Sequence, residues 1–105
     1  MNKLKQTSAF SAWLSSLRDK REKTVIAARL LRLANGLPGD VQPVGAGISE
    51  LRIHFGPGYR LYYQQRGKLI ILLLCGGSKN TQHKDIVLAK LLAKDWEHEE
   101  DFDDE

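Results

Sequence analysis

The sequence predicts an α+β domain in which a mostly antiparallel sheet packs against helices. Residues 48–64 alternate between apolar and polar side chains on both sides of a Gly-Pro-Gly turn, which is typical of a β-hairpin. Residues 10–17 and 26–33 instead repeat apolar side chains at helical spacing. Because strands and helices are grouped separately along the chain, we expect a sheet with helices covering one face.

The N-terminal third predicts one strand and two helices. Residues 2–7 alternate weakly and predict the first strand, and a helix follows over about 8–20. A second helix runs over about 22–35, where Asn35-Gly36 forms a C-cap and Pro38 prevents continuation. The two helices are expected to form an antiparallel pair.

The middle of the chain predicts a run of strands. A short strand over 41–44 precedes the hairpin, and residues 68–75 are apolar at nearly every position, which predicts a central strand buried on both faces. A polar, glycine-rich loop over 76–81 then leads into a third helix that ends near Trp96. The predicted order is β-α-α-β-β-β-β-α, or β-α-α-β-β-β-α if two of these strands merge.

The charge of the chain is divided unevenly. All 16 Lys and Arg residues lie in residues 1–94, together with only five acidic residues, whereas residues 95–105 contain eight acidic residues. A basic body predicts a polyanionic partner, most commonly a nucleic acid and next an acidic protein. We expect one domain over 1–96 and a disordered acidic tail over 97–105.

Composition excludes several classes of protein. No stretch approaches the ~18–20 apolar residues of a membrane span, and the N-terminus lacks a signal-peptide pattern, so we expect a cytoplasmic protein. The single cysteine, Cys75, excludes an internal disulfide and predicts a buried structural thiol. The histidines at positions 54, 83 and 98 lack the spacing of metal ligands, so we predict no metal and no cofactor.

The polar face of the hairpin is the first candidate site. Alternation places Arg52, His54, Arg60 and Tyr62 on one side of the two strands. Guanidinium groups match phosphate oxygens, an imidazole exchanges protons near neutral pH, and a tyrosine ring can stack on a base. The same pattern is equally compatible with an ordinary solvated sheet face.

The loop over 76–81 and the helix that follows form the second candidate. Lys79 in a glycine-rich loop before a helix N-terminus favours an anion, although the P-loop pattern is absent. His83, Lys84 and Asp85 occupy the first helical turn. They either close one side of the same site, or Asp85 simply compensates the helix dipole.

Several blocks of the sequence agree in order with a known family. The segments GDVQPVGAGISELRIHFGPGYRLYY (39–63) and LLLCGGSKNTQHKDI (72–86) resemble the RelE/ParE toxin superfamily, and within it the HigB-like addiction module killer protein branch. The resemblance covers about residues 4–94. It implies a β-α-α-β-β-β-α domain with two N-terminal helices on one face and a C-terminal helix.

The resemblance also implies a function. RelE-like members are toxins of type II toxin–antitoxin systems that cut mRNA in the ribosomal A site without a metal and are neutralised by a cognate antitoxin. DNA is expected to be contacted only through the toxin–antitoxin complex. ParE-like members share the fold but inhibit DNA gyrase, and a member that only binds its antitoxin is a third alternative.

Site residues are assigned by position within this resemblance. Arg60 matches a hairpin arginine that polarises the phosphate, and Arg52 and His54 lie on the strand that carries basic residues. His54 would take the proton of the attacking 2′-hydroxyl. The expected catalytic residues are Arg52, His54, Arg60, Lys79, His83 and Asp85, and the expected nucleic-acid contacts are Arg52, Arg60, Tyr62, Lys79 and Lys84.

The first turn of the third helix departs from the family pattern. Several RNA-cleaving relatives place a catalytic tyrosine there, where this chain has His83, Lys84 and Asp85. His83 or Asp85 would orient His54 or protonate the leaving oxygen.

Overall fold

A computed structural model describes the backbone of residues 1–103 and the side chains of residues 1–96. This part of the chain has an α+β fold, which confirms the predicted class, and its elements follow the longer of the two predicted orders. The elements are β1 (Lys3–Gln6), α1 (Ser8–Ser16), α2 (Lys20–Ala34), β2 (Val41–Gly45), β3 (Ile48–Ile53), β4 (Tyr59–Arg66), β5 (Ile70–Ser78), a 3₁₀ turn (Lys79–Thr81) and α3 (Gln82–Asp103).

The five strands form one sheet in the order β1-β5-β4-β3-β2. β1 runs parallel to β5, and all other neighbours are antiparallel. β5 therefore lies inside the sheet, as its apolar sequence predicts. The pairing of β4 with β5 shifts between Tyr62 and Tyr63, which leaves Leu74 and Cys75 in the same buried cluster.

The first face of the sheet packs against α1 and α2. Thr7 caps α1 by accepting a hydrogen bond from the Phe10 amide, and its hydroxyl donates to the carbonyl of Leu74, which ties the helix to β5. Asp19 caps α2 through the amide of Arg21. The core here consists of Phe10, Ile26, Leu30, Leu33, Leu51, Ile53, Tyr59, Leu61, Tyr63, Ile71 and Leu73.

The prediction for the apolar side of the hairpin is confirmed except at its tip. Leu51, Ile53 and Leu61 are fully buried against the helices, as the alternation indicates. Phe55 shares their spacing but lies beyond β3 in the turn and is partly exposed.

The second face is not open, contrary to the sequence-based expectation. α3 packs across it, because its alanines at positions 89 and 93 bring the helix close to the strands. The core here consists of Ile48, Tyr62, Leu72, Leu74, Cys75, Ala89 and Ala93, with Val44, Ile86, Leu92 and Trp96 at its margin. The two N-terminal helices and α3 therefore lie on opposite faces.

Gly76 and Gly77 belong to β5 and not to the predicted loop. A side chain at Gly76 would overlap the ring of Trp13, and one at Gly77 would overlap Thr81 and Asp85. These glycines thus allow groups from both faces to approach the strand closely, which is a common reason for glycine inside a strand.

The C-terminal end of α3 differs from its predicted end. The backbone stays helical to Asp103, beyond the predicted boundary at Trp96. The side chains of residues 97–105 lie outside the described part of the chain, so the disorder expected of the acidic tail remains a prediction. Among the described residues, no helix is long and apolar enough to cross a membrane.

Candidate functional site

A buried carboxylate, Glu50, lies at the centre of the predicted polar face. Its Oε1 accepts hydrogen bonds from Arg52 Nε at 2.9 Å and from Arg60 Nη1 at 3.2 Å. Its Oε2 accepts from the Tyr62 hydroxyl at 3.0 Å and from Gln82 Nε2 at 2.8 Å. We call Glu50 and these four donors the Glu50 cluster.

The strand register explains why the cluster forms. Arg52 lies directly opposite Arg60, and Glu50 lies directly opposite Tyr62. Two like charges across a strand pair repel each other unless an anion lies between them, and Glu50 supplies that anion. The start of α3 adds Gln82 from above the sheet.

The hydrogen bonds of the cluster keep Glu50 ionised. Burial alone would raise the pKa of Glu50. The hydrogen bonds from Arg52, Gln82 and Tyr62 and the charge of Arg60 outweigh that cost, so the pKa lies below its usual value. A fully buried, fully bonded carboxylate of this kind holds its donors in fixed positions.

The two arginines of the cluster differ in access to a ligand. The side chain of Arg52 is 33% exposed, whereas that of Arg60 is 12% exposed. Arg60 Nε is buried and has no hydrogen-bond partner in the described part of the chain. Arg52 is therefore the cation that an incoming phosphate can reach, and Arg60 mainly anchors Glu50.

Tyr62 cannot stack on a base, contrary to the expectation from its spacing. Its ring is fully buried under α3, and its hydroxyl is bonded to Glu50. Burial raises the pKa of Tyr62, and the neighbouring charge of Glu50 raises it further. Tyr59 and Tyr63 lie in the opposite core, as predicted.

A second carboxylate is paired with a histidine on the exposed rim of the same region. His54 follows the last residue of β3, is 74% exposed, and its Nε2 lies 2.7 Å from Oδ2 of Asp40. An ionised carboxylate only accepts hydrogen bonds, so Nε2 carries the hydrogen and Nδ1 of the neutral ring is left as an acceptor. We call His54 and Asp40 the rim pair.

Arg52 connects the rim pair to the Glu50 cluster. Its amide donates to the carbonyl of Asp40 at 2.9 Å. The hydrogen bond from His54 lowers the pKa of Asp40, and the charges of Arg52 and Arg29 lower it further. Cation, imidazole and carboxylate therefore lie together where β2 begins and β3 ends.

Arg29 fixes the loop that carries Asp40. From α2, its Nη1 donates to the carbonyl of Arg52 at 3.2 Å and its Nη2 donates to the carbonyl of Pro38 at 2.9 Å. Gly39 leaves the space that this guanidinium occupies. The apolar spacing along α2 does not indicate this role for Arg29.

The start of α3 is less suited to catalysis than the sequence suggests. Lys79, His83 and Lys84 are exposed and free to meet a ligand approaching from solvent. Asp85 is buried instead, where it accepts a hydrogen bond from the Thr81 hydroxyl. This position agrees with a structural carboxylate at a helix start, not with a partner of His54.

Cys75 is a buried structural thiol, as predicted. Its Sγ donates to the carbonyl of Asp85, and burial, with the nearby charge of Asp85, raises its pKa to about 12. No group of three or more His, Cys, Asp or Glu among the described residues is placed to hold a metal ion.

Sequence reasoning missed two acidic residues that organise this region. Glu50 alternates with Arg52, and the like-charged cross-strand pair Arg52–Arg60 was a signal that an anion must lie nearby. Asp40 follows Gly39 in a pattern typical of a turn, and no sequence signal connects it with His54, which lies 14 positions later.

Comparison with known proteins gives one clear relationship. No family model matches the chain. The chain is 49% identical over 92 residues to a protein of Haemophilus influenzae (strain Rd), and the match covers 88% of this chain and 93% of that protein. Since the identity extends over nearly the full length of both proteins, this chain belongs to the same family as that Haemophilus influenzae protein, which is described as an uncharacterized protein.

Proposed function

We propose that this protein is a RelE/ParE-like toxin of a type II toxin–antitoxin system that cleaves ribosome-bound mRNA without a metal and is neutralised by a cognate antitoxin. The sequence resemblance over residues 4–94 supports the RelE-like topology as part of this proposal. The observation that carries the activity is the rim pair, an exposed imidazole oriented by a carboxylate beside the accessible Arg52.

The proposed reaction needs a proton acceptor beside the attacking 2′-hydroxyl and positive charge beside the phosphate. The 2′-hydroxyl of the RNA attacks the adjacent phosphorus, and its proton passes to Nδ1 of His54. The bond from phosphorus to the 5′ oxygen then breaks, which gives a 2′,3′-cyclic phosphate and a 5′-hydroxyl. The departing 5′ oxygen takes its proton from His83 or from water.

Asp40 has the role of orienting and stabilising the imidazole. Its hydrogen bond to Nε2 fixes the ring so that Nδ1 remains the acceptor. Its negative charge also stabilises the imidazolium that forms when His54 accepts the proton. Histidine–carboxylate pairs have this role in other enzymes that remove a proton from a hydroxyl.

The cations have two separate roles in this proposal. Arg52 binds the reacting phosphate and stabilises the charge that develops on its oxygens. Lys79 and Lys84, which are exposed at the start of α3, contact flanking phosphates. Arg60 keeps Arg52 in place through their shared bond to Glu50.

Controlled expression in cells tests this function. We expect the wild-type chain to arrest growth and to produce new mRNA 5′ ends, and the double variant Arg52→Ala, His54→Ala to do neither. The matched control is Arg21→Ala, Lys68→Ala, which removes two exposed cations outside the site and should leave both effects intact.

Two outcomes would contradict the proposal. Growth arrest with DNA damage signalling and no new mRNA 5′ ends would favour gyrase inhibition. Unchanged mRNA cleavage by the Arg52→Ala, His54→Ala variant would remove the site from the mechanism.

A further inference from the structure

Helix α3 carries a second apolar stripe that the sheet does not use. Its buried side packs on the strands through Ala89 and Ala93. Val87, Leu88 and Leu91 lie on the side of the helix away from the sheet and are among the exposed large apolar residues of the protein. At about 100° per residue, this exposed stripe lies roughly 170° around the helix from the buried one, on nearly the opposite side.

Two charged residues extend the same stripe. Lys84 precedes Leu88 by four positions, and Asp95 follows Leu91 by four positions, so both lie on the face of the exposed leucines. Both are exposed. Along the line of Leu88 and Leu91 the stripe therefore has Lys84 at its N-terminal end and Asp95 at its C-terminal end. Lys94 is also exposed and lies beside Asp95, on the side toward Val87.

We propose that this stripe is the interface between two copies of the chain, with their α3 helices packed antiparallel about a twofold axis. In that arrangement Leu88 of each copy meets Leu91 of the other. The same register places Lys84 beside Asp95 of the other copy, at both ends of the contact. A parallel arrangement would instead bring equal charges together.

Self-complementarity is the reason for choosing a second copy as the occupant. A twofold interface requires one patch to match itself, and this stripe does so in the positions of its leucines and of its charges. The dimer goes beyond the proposed toxin function, and the two proposals share Lys84, which pairs with Asp95 in the dimer and contacts phosphate in the monomer.

The small size of the stripe predicts a weak dimer. Three apolar side chains from each copy and two ion pairs in total form an interface at the low end of specific protein interfaces. We expect a dissociation constant on the order of 10–500 µM. Salt should weaken the association, because the terminal ion pairs are at the solvent-exposed rim.

Sedimentation equilibrium of the purified full-length chain over a concentration series tests the dimer. We expect the apparent mass to rise from monomer toward dimer with concentration, and Leu91→Glu to shift the dissociation constant upward by at least ~10-fold. The matched control is Leu31→Glu on α2, because Leu31 is 58% exposed and Leu91 is 59% exposed. This control should associate like the wild type.

Charge reversal distinguishes self-pairing from other interfaces. Lys84→Glu and Asp95→Lys should each weaken the dimer, and the double variant Lys84→Glu, Asp95→Lys should restore it, because both ion pairs re-form with reversed signs. A wild-type chain that stays monomeric throughout the series would overturn the proposal. A dimer that Leu91→Glu leaves intact, or a double variant no stronger than the single variants, would also overturn it.

Discussion

The Glu50 cluster and the rim pair each contain one carboxylate that accepts hydrogen bonds from neighbouring side chains, yet they differ in burial and in the number of those bonds. Glu50 is fully buried and accepts hydrogen bonds from four side chains. Asp40 is partly exposed, and its His54 partner is 74% exposed. Both oxygens of Glu50 are occupied by hydrogen bonds within the protein, whereas His54 keeps one ring nitrogen available to a substrate.

This difference assigns the two groups to separate tasks. A buried, fully bonded carboxylate stabilises the geometry around it, and losing a partner costs much because a charge is left unpaired. An exposed pair adds little to stability, because water and salt screen it. We therefore expect changes at Glu50, Arg60 and Tyr62 to affect folding and changes in the rim pair to affect activity. Arg52 is bonded to Glu50 and also binds the phosphate, so its removal should affect both.

The largest expected effect is the loss of stability in Glu50→Gln. The variant leaves the nearly buried Arg60 and the partly exposed Arg52 without their shared anion, so the free energy of unfolding should fall by about 3–5 kcal/mol. Urea unfolding measures this change. The exposed Asp95→Asn, measured below the dissociation constant of the dimer, is the control and should leave the midpoint unchanged. A Glu50→Gln midpoint equal to wild type would show that the cluster does not hold the fold together.

Asp40→Asn should affect activity and not stability. The amide oxygen can still accept from His54 Nε2, but the negative charge that stabilises the imidazolium is lost, so RNA cleavage should fall about 100-fold or more. The unfolding midpoint should not move, since the pair is exposed. Cleavage of ribosome-bound mRNA and urea unfolding of the same preparation test both parts. Unchanged cleavage would exclude Asp40 from the mechanism.

Tyr62→Phe should have an intermediate effect on stability. It removes one hydrogen bond to a buried charge, which is worth about 1.5–2 kcal/mol. In the Glu50→Gln background the same change should cost less, because the accepting charge is already gone. Urea unfolding of the four proteins in this double-mutant cycle measures the coupling. Equal costs in both backgrounds would mean that the two side chains act independently.

The pH dependence of stability should show the smallest effect. The pKa of Glu50 is lower in the folded chain than in the unfolded chain, where glutamate titrates near ~4.3. The unfolded state therefore binds the proton first as pH falls, and the stability present above that pH is lost through the lower, folded pKa. The free energy of unfolding, measured from pH 6 to pH 3, should fall less steeply with pH for Glu50→Gln than for wild type below about pH 4. Identical slopes would argue against a depressed pKa.

Much of the fold follows from local pattern alone. The hairpin, the pairing of apolar residues such as Leu51 and Leu61, and the internal position of β5 all follow from alternation and apolar runs. These features depend on neighbours in sequence or directly across one turn. Local spacing is therefore sufficient to predict them.

The errors arise where distant segments meet. Alternation places Tyr62 on the polar face, but it does not reveal that α3 covers that part of the face. Gly76 and Gly77 have a composition typical of loops, and only the positions of Trp13 and Asp85 explain why they continue a strand. The hydrogen bond from His54 to Asp40 likewise depends on how Arg29 fixes the loop after α2.

The most direct test of the division between the two groups is one variant measured in two ways. His54→Asn, assayed for cleavage of ribosome-bound mRNA and for urea unfolding, should lose at least ~100-fold in cleavage rate while unfolding at the wild-type midpoint. A variant that still cleaves at the wild-type rate would contradict the assignment of chemistry to the rim pair.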